Sequence, residues 1–115
     1  MAKYVTKFPG NYYKFRDFLQ EEILKGSMSA SLEETHEETV NGVCCQVQTY
    51  ERYSVIGGNR VSLNIVILES DGIIHLVATA SGGSQAVFFK INTFGEEAFL
   101  DMLREAVERF KQDSR

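Results

Sequence analysis

The sequence predicts a two-layer α+β domain, an antiparallel sheet of four to five strands with an N-terminal and a C-terminal helix packed on one face. Three observations lead there. Apolar residues recur every three or four positions near both ends of the chain. The middle of the chain alternates with a period of two instead. Two dipeptides, Asn41-Gly42 and Asp71-Gly72, interrupt that alternation as the strongest short signal for type I′ hairpin turns.

The first element is a helix from Asn11 to Lys25. Tyr12, Phe15, Phe18, Leu19 and Ile23 form its apolar stripe, Asn11 supplies an N-cap, and Gly26 stands where a C′ glycine is expected. Strands follow over Ser27–Val40 and Val43–Ile56, then over Arg60–Ser70 and Ile73–Ser81, with Gly57-Gly58-Asn59 between the two hairpins. The β-prone run Ala86-Val87-Phe88-Phe89 predicts a fifth strand over Gln85–Ile91. The last helix opens at Thr93, whose capping box with Glu96 satisfies amides that the first turn leaves free. Phe99, Met102, Leu103, Ala106 and Phe110 then form its apolar stripe, and Glu105 and Arg109 are spaced for an i,i+4 ion pair.

Turn geometry also assigns faces. A two-residue turn at Asp71-Gly72 pairs Ser70 with Ile73, so Leu63, Ile65 and Ile67 share a face with Ile74, Leu76, Ala78 and Ala80. That set is the more apolar and should take the helices. In the first hairpin the same rule groups Met28, Ala30 and Leu32 with Cys45, Val47, Tyr53 and Val55, leaving Gln46, Gln48 and Arg52 wet. Burying both apolar sets together requires a three-residue loop at Gly57-Gly58-Asn59.

The second hairpin is also apolar on its other face. Val66, Leu68, Ile73 and Val77 lie there with His75 and Thr79, and a strand apolar on both faces should be covered on both. The N-terminal arm through Phe8, a second subunit or a ligand could supply that cover. A homodimer is the expected solution, since two-fold pairing is the commonest among small proteins.

Composition narrows the function classes. The 115 residues suit one domain, and 43% apolar with 24% charged content is ordinary for a globular chain. Twelve Lys and Arg against sixteen Asp and Glu give a net charge of −4, the wrong sign for a nucleic-acid binder. The basic start leads into Phe8-Pro9-Gly10 rather than a signal-type apolar run. The longest apolar stretch, Ile65–Leu68, is too short for a membrane helix. Cys44 and Cys45 are adjacent in a strand, point to opposite faces, and suit small apolar fillers in a reducing, cytoplasmic setting.

Candidate chemistry is sparse. A zinc site needs three or four converging ligands, and the chain has two histidines, so no metal or other cofactor is expected. Strand alternation places His36 opposite Val47 with Glu34, Glu38 and Cys45 on the same face, a pattern that more often makes a solvated edge. His75 is the one candidate for a hydrolase-like enzyme, if Ser62, Ser81, Ser84 or a Glu approaches it. Ser81-Gly82-Gly83-Ser84 reads as a turn between strands or as an anion- or ligand-binding loop, because successive backbone amides can cradle an anion.

Ser81-Gly82-Gly83-Ser84 and Phe94-Gly95-Glu96-Glu97-Ala98-Phe99-Leu100, set in this element order, resemble short uncharacterised bacterial proteins classed as domains of unknown function. That resemblance implies no activity. The leading expectation is therefore a non-enzymatic, homodimeric binding or interaction module using Val66, Leu68, Ile73, His75, Val77 and Thr79. The alternative is a carrier of a small apolar ligand between sheet and helices.

Overall fold

The computed structural model describes residues 2–27, 29–53, 60–82 and 89–113, the last segment as helical backbone alone up to residue 96. The elements run β1 (Ala2–Pro9), α1 (Tyr12–Gly26), β2 (Ser31–Val40), β3 (Val43–Tyr53), β4 (Arg60–Ser70), β5 (Ile73–Gly82) and α2 (Phe89–Asp113). The five strands form one antiparallel sheet in the order β1-β5-β4-β3-β2, and both helices pack on a single face of it. The α+β class and the two-layer arrangement thus follow the sequence reading.

Both hairpin turns form as their residues dictate. Asn41 and Gly42 have φ of 52° and 81°, and Asp71 and Gly72 have 54° and 79°. Positive φ at both central positions defines a type I′ turn, whose twist matches that of the strands it joins. At the start of α1, Asn11 Oδ1 accepts from the Lys14 amide at 3.0 Å, as an N-cap should. Gly26 differs from expectation. It is the last residue of α1, followed by an extended Ser27, and a Cβ there would lie 2.9 Å from Met102 Sδ. The Met102 side chain of α2 approaches closely there, and the glycine does not form a left-handed cap.

Four further expectations are corrected. The fifth strand of the described sheet is β1; of the expected strand Gln85–Ile91, residues 89–91 are helical and 85–88 lie outside the described residues. The edge of β5 that a following strand would need is already occupied by β1, and Phe89–Ile91 belong to α2. Because α2 begins at Phe89, Thr93 lies inside it and does not cap it. Arg109 pairs with Glu22 of α1 at 2.8 Å rather than with Glu105, tying the helices together.

The fourth correction concerns register. Tyr53 pairs with Arg60 and Gln46 with Ile67, so even residues of β3 share a face with odd residues of β4. A three-residue loop at Gly57-Gly58-Asn59 requires the opposite parity; the loop residues themselves lie outside the described residues. Gln46, Gln48, Tyr50 and Arg52 consequently face the helices, while Cys45, Val47 and Tyr53 face away. Leu32 still reaches the core, because a bulge between Leu32 and Glu34 shifts β2 by one residue and pairs Leu32 with Tyr50.

Burying two glutamines is tolerable because they bond to each other. Tyr50 donates its hydroxyl to Gln48 Oε1 at 2.6 Å, and Gln48 Nε2 donates to Gln46 Oε1 at 2.7 Å. Residues two apart on a strand stand side by side, so this chain runs along β3 with Gln48 and Tyr50 fully buried. Removing one member strands its neighbour away from water. Tyr50→Phe is expected to cost about 1–3 kcal/mol in urea unfolding, since Gln48 Oε1 then lacks its donor. A loss below ~0.5 kcal/mol would mean that Gln48 is served by water.

The rest of the core is apolar. Leu63, Ile65 and Ile67 meet Ile74, Leu76, Ala78 and Ala80 as expected, all fully buried. Phe15, Leu19 and Ile23 of α1 and Phe99, Leu103 and Val107 of α2 cover them. Arg52 closes one end of this layer by stacking its guanidinium 4.3 Å from the Phe99 ring centre.

Candidate interaction face

The face of the sheet away from the helices is built by β-strand alternation alone. On each strand every second residue points to it, and the register sets these residues in rows that cross the sheet. One row joins Val5 to Val77, Val66 and Val47, and ends at His36 on β2. Four valines from four strands therefore stand side by side. Val5, Val77 and Val47 keep 57%, 39% and 38% of their surface exposed. Contiguous apolar patches on a protein surface are often interaction sites.

The flanking rows carry charge at their ends. Lys7, His75, Leu68, Cys45 and Glu38 form one, and Lys3, Thr79, Asn64, Thr49 and Glu34 the other. Both lysines sit on the β1 edge and both glutamates on the β2 edge, so the face is basic along one side and acidic along the other. His36 lies between the two glutamates, its Nε2 3.1 Å from Glu38 Oε1. Arg60 and Glu51, also on this face, pair with each other at 3.3 Å. Thr49 Oγ1 and Asn64 Oδ1 are bonded across the strands at 3.1 Å.

All six residues expected on the face, Val66, Leu68, Ile73, His75, Val77 and Thr79, are there. Val5 and Val47 were missed for separate reasons. The N-terminal arm does not fold over the face but extends the sheet as β1, a strand whose Tyr4 and Phe8 side is readable as alternation. Val47 was assigned inward because the glutamines beside it look like surface residues.

The candidate enzyme geometry does not assemble among the described residues. His75 is exposed and lies in register with Lys7 and Leu68. Ser81 is six residues farther along β5 and pairs with Ser62, about 20 Å away at the rise of an extended strand. Ser81 and Gly82 belong to the β4–β5 ladder rather than to a loop, and Gly83 and Ser84 lie outside the described residues. No group of three or more metal-type ligands converges among the described residues. Among the described residues, the core side chains named above pack between the sheet and the helices.

A second polar cluster lies on the helix side, where α1 crosses the acidic β2. Glu37 accepts from the Tyr12 hydroxyl at 2.7 Å and from Arg16 at 2.9 Å. These two partners hold its carboxyl below the usual carboxylate range, the tyrosine bond being the larger cause, while burial pushes the Tyr12 hydroxyl up. Each group is satisfied by the others, so the cluster acts as a clamp of β2 onto α1. Cys44 sits beside it, 4.0 Å from the Tyr13 hydroxyl and 3.9 Å from Thr39 Oγ1.

No described helix is long and apolar enough to cross a membrane. A family model described as a family of unknown function (DUF6054) matches residues 1–111. No curated protein matches the chain.

Proposed function

The chain belongs to this family of unknown function, so its role has to be read from its own surface, and we propose that it is a non-enzymatic, cytoplasmic interaction module that pairs with a second copy through the open face of the sheet. The observation that carries this reading is the row Val5, Val77, Val66 and Val47, apolar across four strands and left uncovered by both helices. The dimensions agree with it. Five strands at about 4.8 Å spacing and ten residues at about 3.3 Å rise present on the order of 800 Å², one partner's share of a standard interface. Burying that stripe against an identical one removes both from water without any new sequence feature.

The adjacent cysteines provide a test without mutation. Cys45 faces the open side and Cys44 the helix side, both partly exposed and both free. Raising the protein concentration through the dimerisation range should slow alkylation of Cys45 by at least tenfold and leave Cys44 unchanged. Equal rates for Cys45 at all concentrations, with a monomer mass throughout, would refute the pairing.

A further inference from the structure

We infer that the two copies are related by a two-fold axis running along β4, so that the lysine edge of each sheet lies over the glutamate edge of the other. This rests on the self-pairing proposed above and specifies its geometry. Two sheets can stack face to face about a two-fold axis in two limiting ways. If the axis runs along the strands, it reverses the strand order, and β1 of one copy faces β2 of the other. If it runs across the strands, β1 faces β1 and β2 faces β2.

The charges of this face discriminate between the two. Lys3 and Lys7 are exposed on β1, and Glu34 and Glu38 are exposed on β2. An axis across the strands sets lysines on lysines and glutamates on glutamates, and like charges juxtaposed at an interface are penalised. An axis along β4 sets Lys7 over Glu38 and Lys3 over Glu34, twice each by symmetry. Lysine and glutamate side chains together span the ~10 Å between stacked sheets.

The rows then match without adjustment. Because the axis follows the strands, each row of one copy lies over the same row of the other, whatever the exact position along β4. Val66 meets its own symmetry mate on the axis, as does Leu68. Val77 meets Val47 on both sides of the axis, and Val5 packs beside His36. The twist of each sheet turns this into an aligned stack of about −30°, the common geometry for paired sheets, with the axis about 15° from β4; the rows then coincide near the axis and shift by about 5 Å at the edges, within reach of lysine and glutamate side chains.

The experiment exchanges the two edges. A variant carrying Lys3→Glu, Lys7→Glu, Glu34→Lys and Glu38→Lys keeps the net charge of the chain and alters only exposed edge positions. It is mixed with isotopically labelled wild-type protein, and the dimers are counted by native mass spectrometry at low ionic strength. With the axis along β4, the variant pairs with itself as the wild type does, and the mixed dimer falls from the statistical half to below a tenth. With the axis across the strands, the mixed dimer rises above half, which overturns the inference. A mixed dimer that stays at half also overturns it, since the charged edges then do not meet. Monomers in every sample would instead defeat the pairing itself. Far-ultraviolet circular dichroism checks the fold of the variant. If the fourfold exchange does not fold, Lys7→Glu with Glu38→Lys alone makes the same comparison with a smaller expected bias.

Discussion

Val66→Lys is expected to give a folded monomer. Val66 lies on the open face at the middle strand, flanked in its row by Val77 and Val47. It touches no core residue that the substitution would displace, because its neighbours on β4, Ile65 and Ile67, carry the core instead. In a two-fold stack the new lysine meets an identical lysine across the axis, inside an apolar stripe. Like charges drawn out of water there should weaken association at least about a hundredfold, ~3 kcal/mol. Sedimentation equilibrium reads the mass, and circular dichroism reads the fold. A variant that associates as tightly as the wild type would move the interface to another surface. A variant that unfolds would show that this side of β4 is part of the core.

Phe15→Ala is expected to be the most damaging single truncation for stability. Phe15 is fully buried on α1, with ring centres of Phe8 and Phe110 at 5.1 and 5.0 Å, both edge-on. These three rings come from β1, α1 and α2, so one side chain joins both helices to the first strand. Truncation removes the buried ring and leaves a cavity that helices anchored on both sides cannot collapse into. A loss of about 3–5 kcal/mol follows, a large part of the 5–15 kcal/mol that holds a typical domain together. Urea unfolding followed by tyrosine fluorescence measures it. A loss below ~1.5 kcal/mol would show that α2 slides to fill the space.

Much of this architecture can be read from the residues. Both type I′ turns, the helix beginning at Asn11, the two faces of the second hairpin and the six open-face residues follow from periodicity and turn chemistry. What could not be read was long-range. β1 has an alternating pattern, yet nothing within eight residues says that its partner is β5, so it resembles an arm. The parity between β3 and β4 was misassigned because face assignment from polarity treats glutamine as wet. Gln46 and Gln48 break that rule by satisfying each other and Tyr50 within one strand. Once they turn inward, Val47 must turn outward, and the valine row continues through a third and then a fourth strand. The start of α2 was misplaced for a related reason. A β-prone stretch forms a strand only where an edge is vacant beside it, and β1 had taken that edge.

The placement of β1 also has a consequence for how the chain is made. Ala2 pairs with Ala80 and Pro9 with Ile73, so the first described strand is joined to the last described one. During translation those eight residues have no partner until β5 emerges, roughly 70 residues later, or about 4–14 s at ordinary elongation rates. Both hairpins can close as they appear, whereas the described sheet can be completed only once β5 has emerged. Loop closure over such a separation is costly in chain entropy and slows folding, and it is the step that seats Phe8 against Phe15. The nascent chain therefore carries an unpaired strand until β5 emerges, and Lys3, Lys7 and Pro9 are the residue types that keep such a strand from pairing with a neighbour.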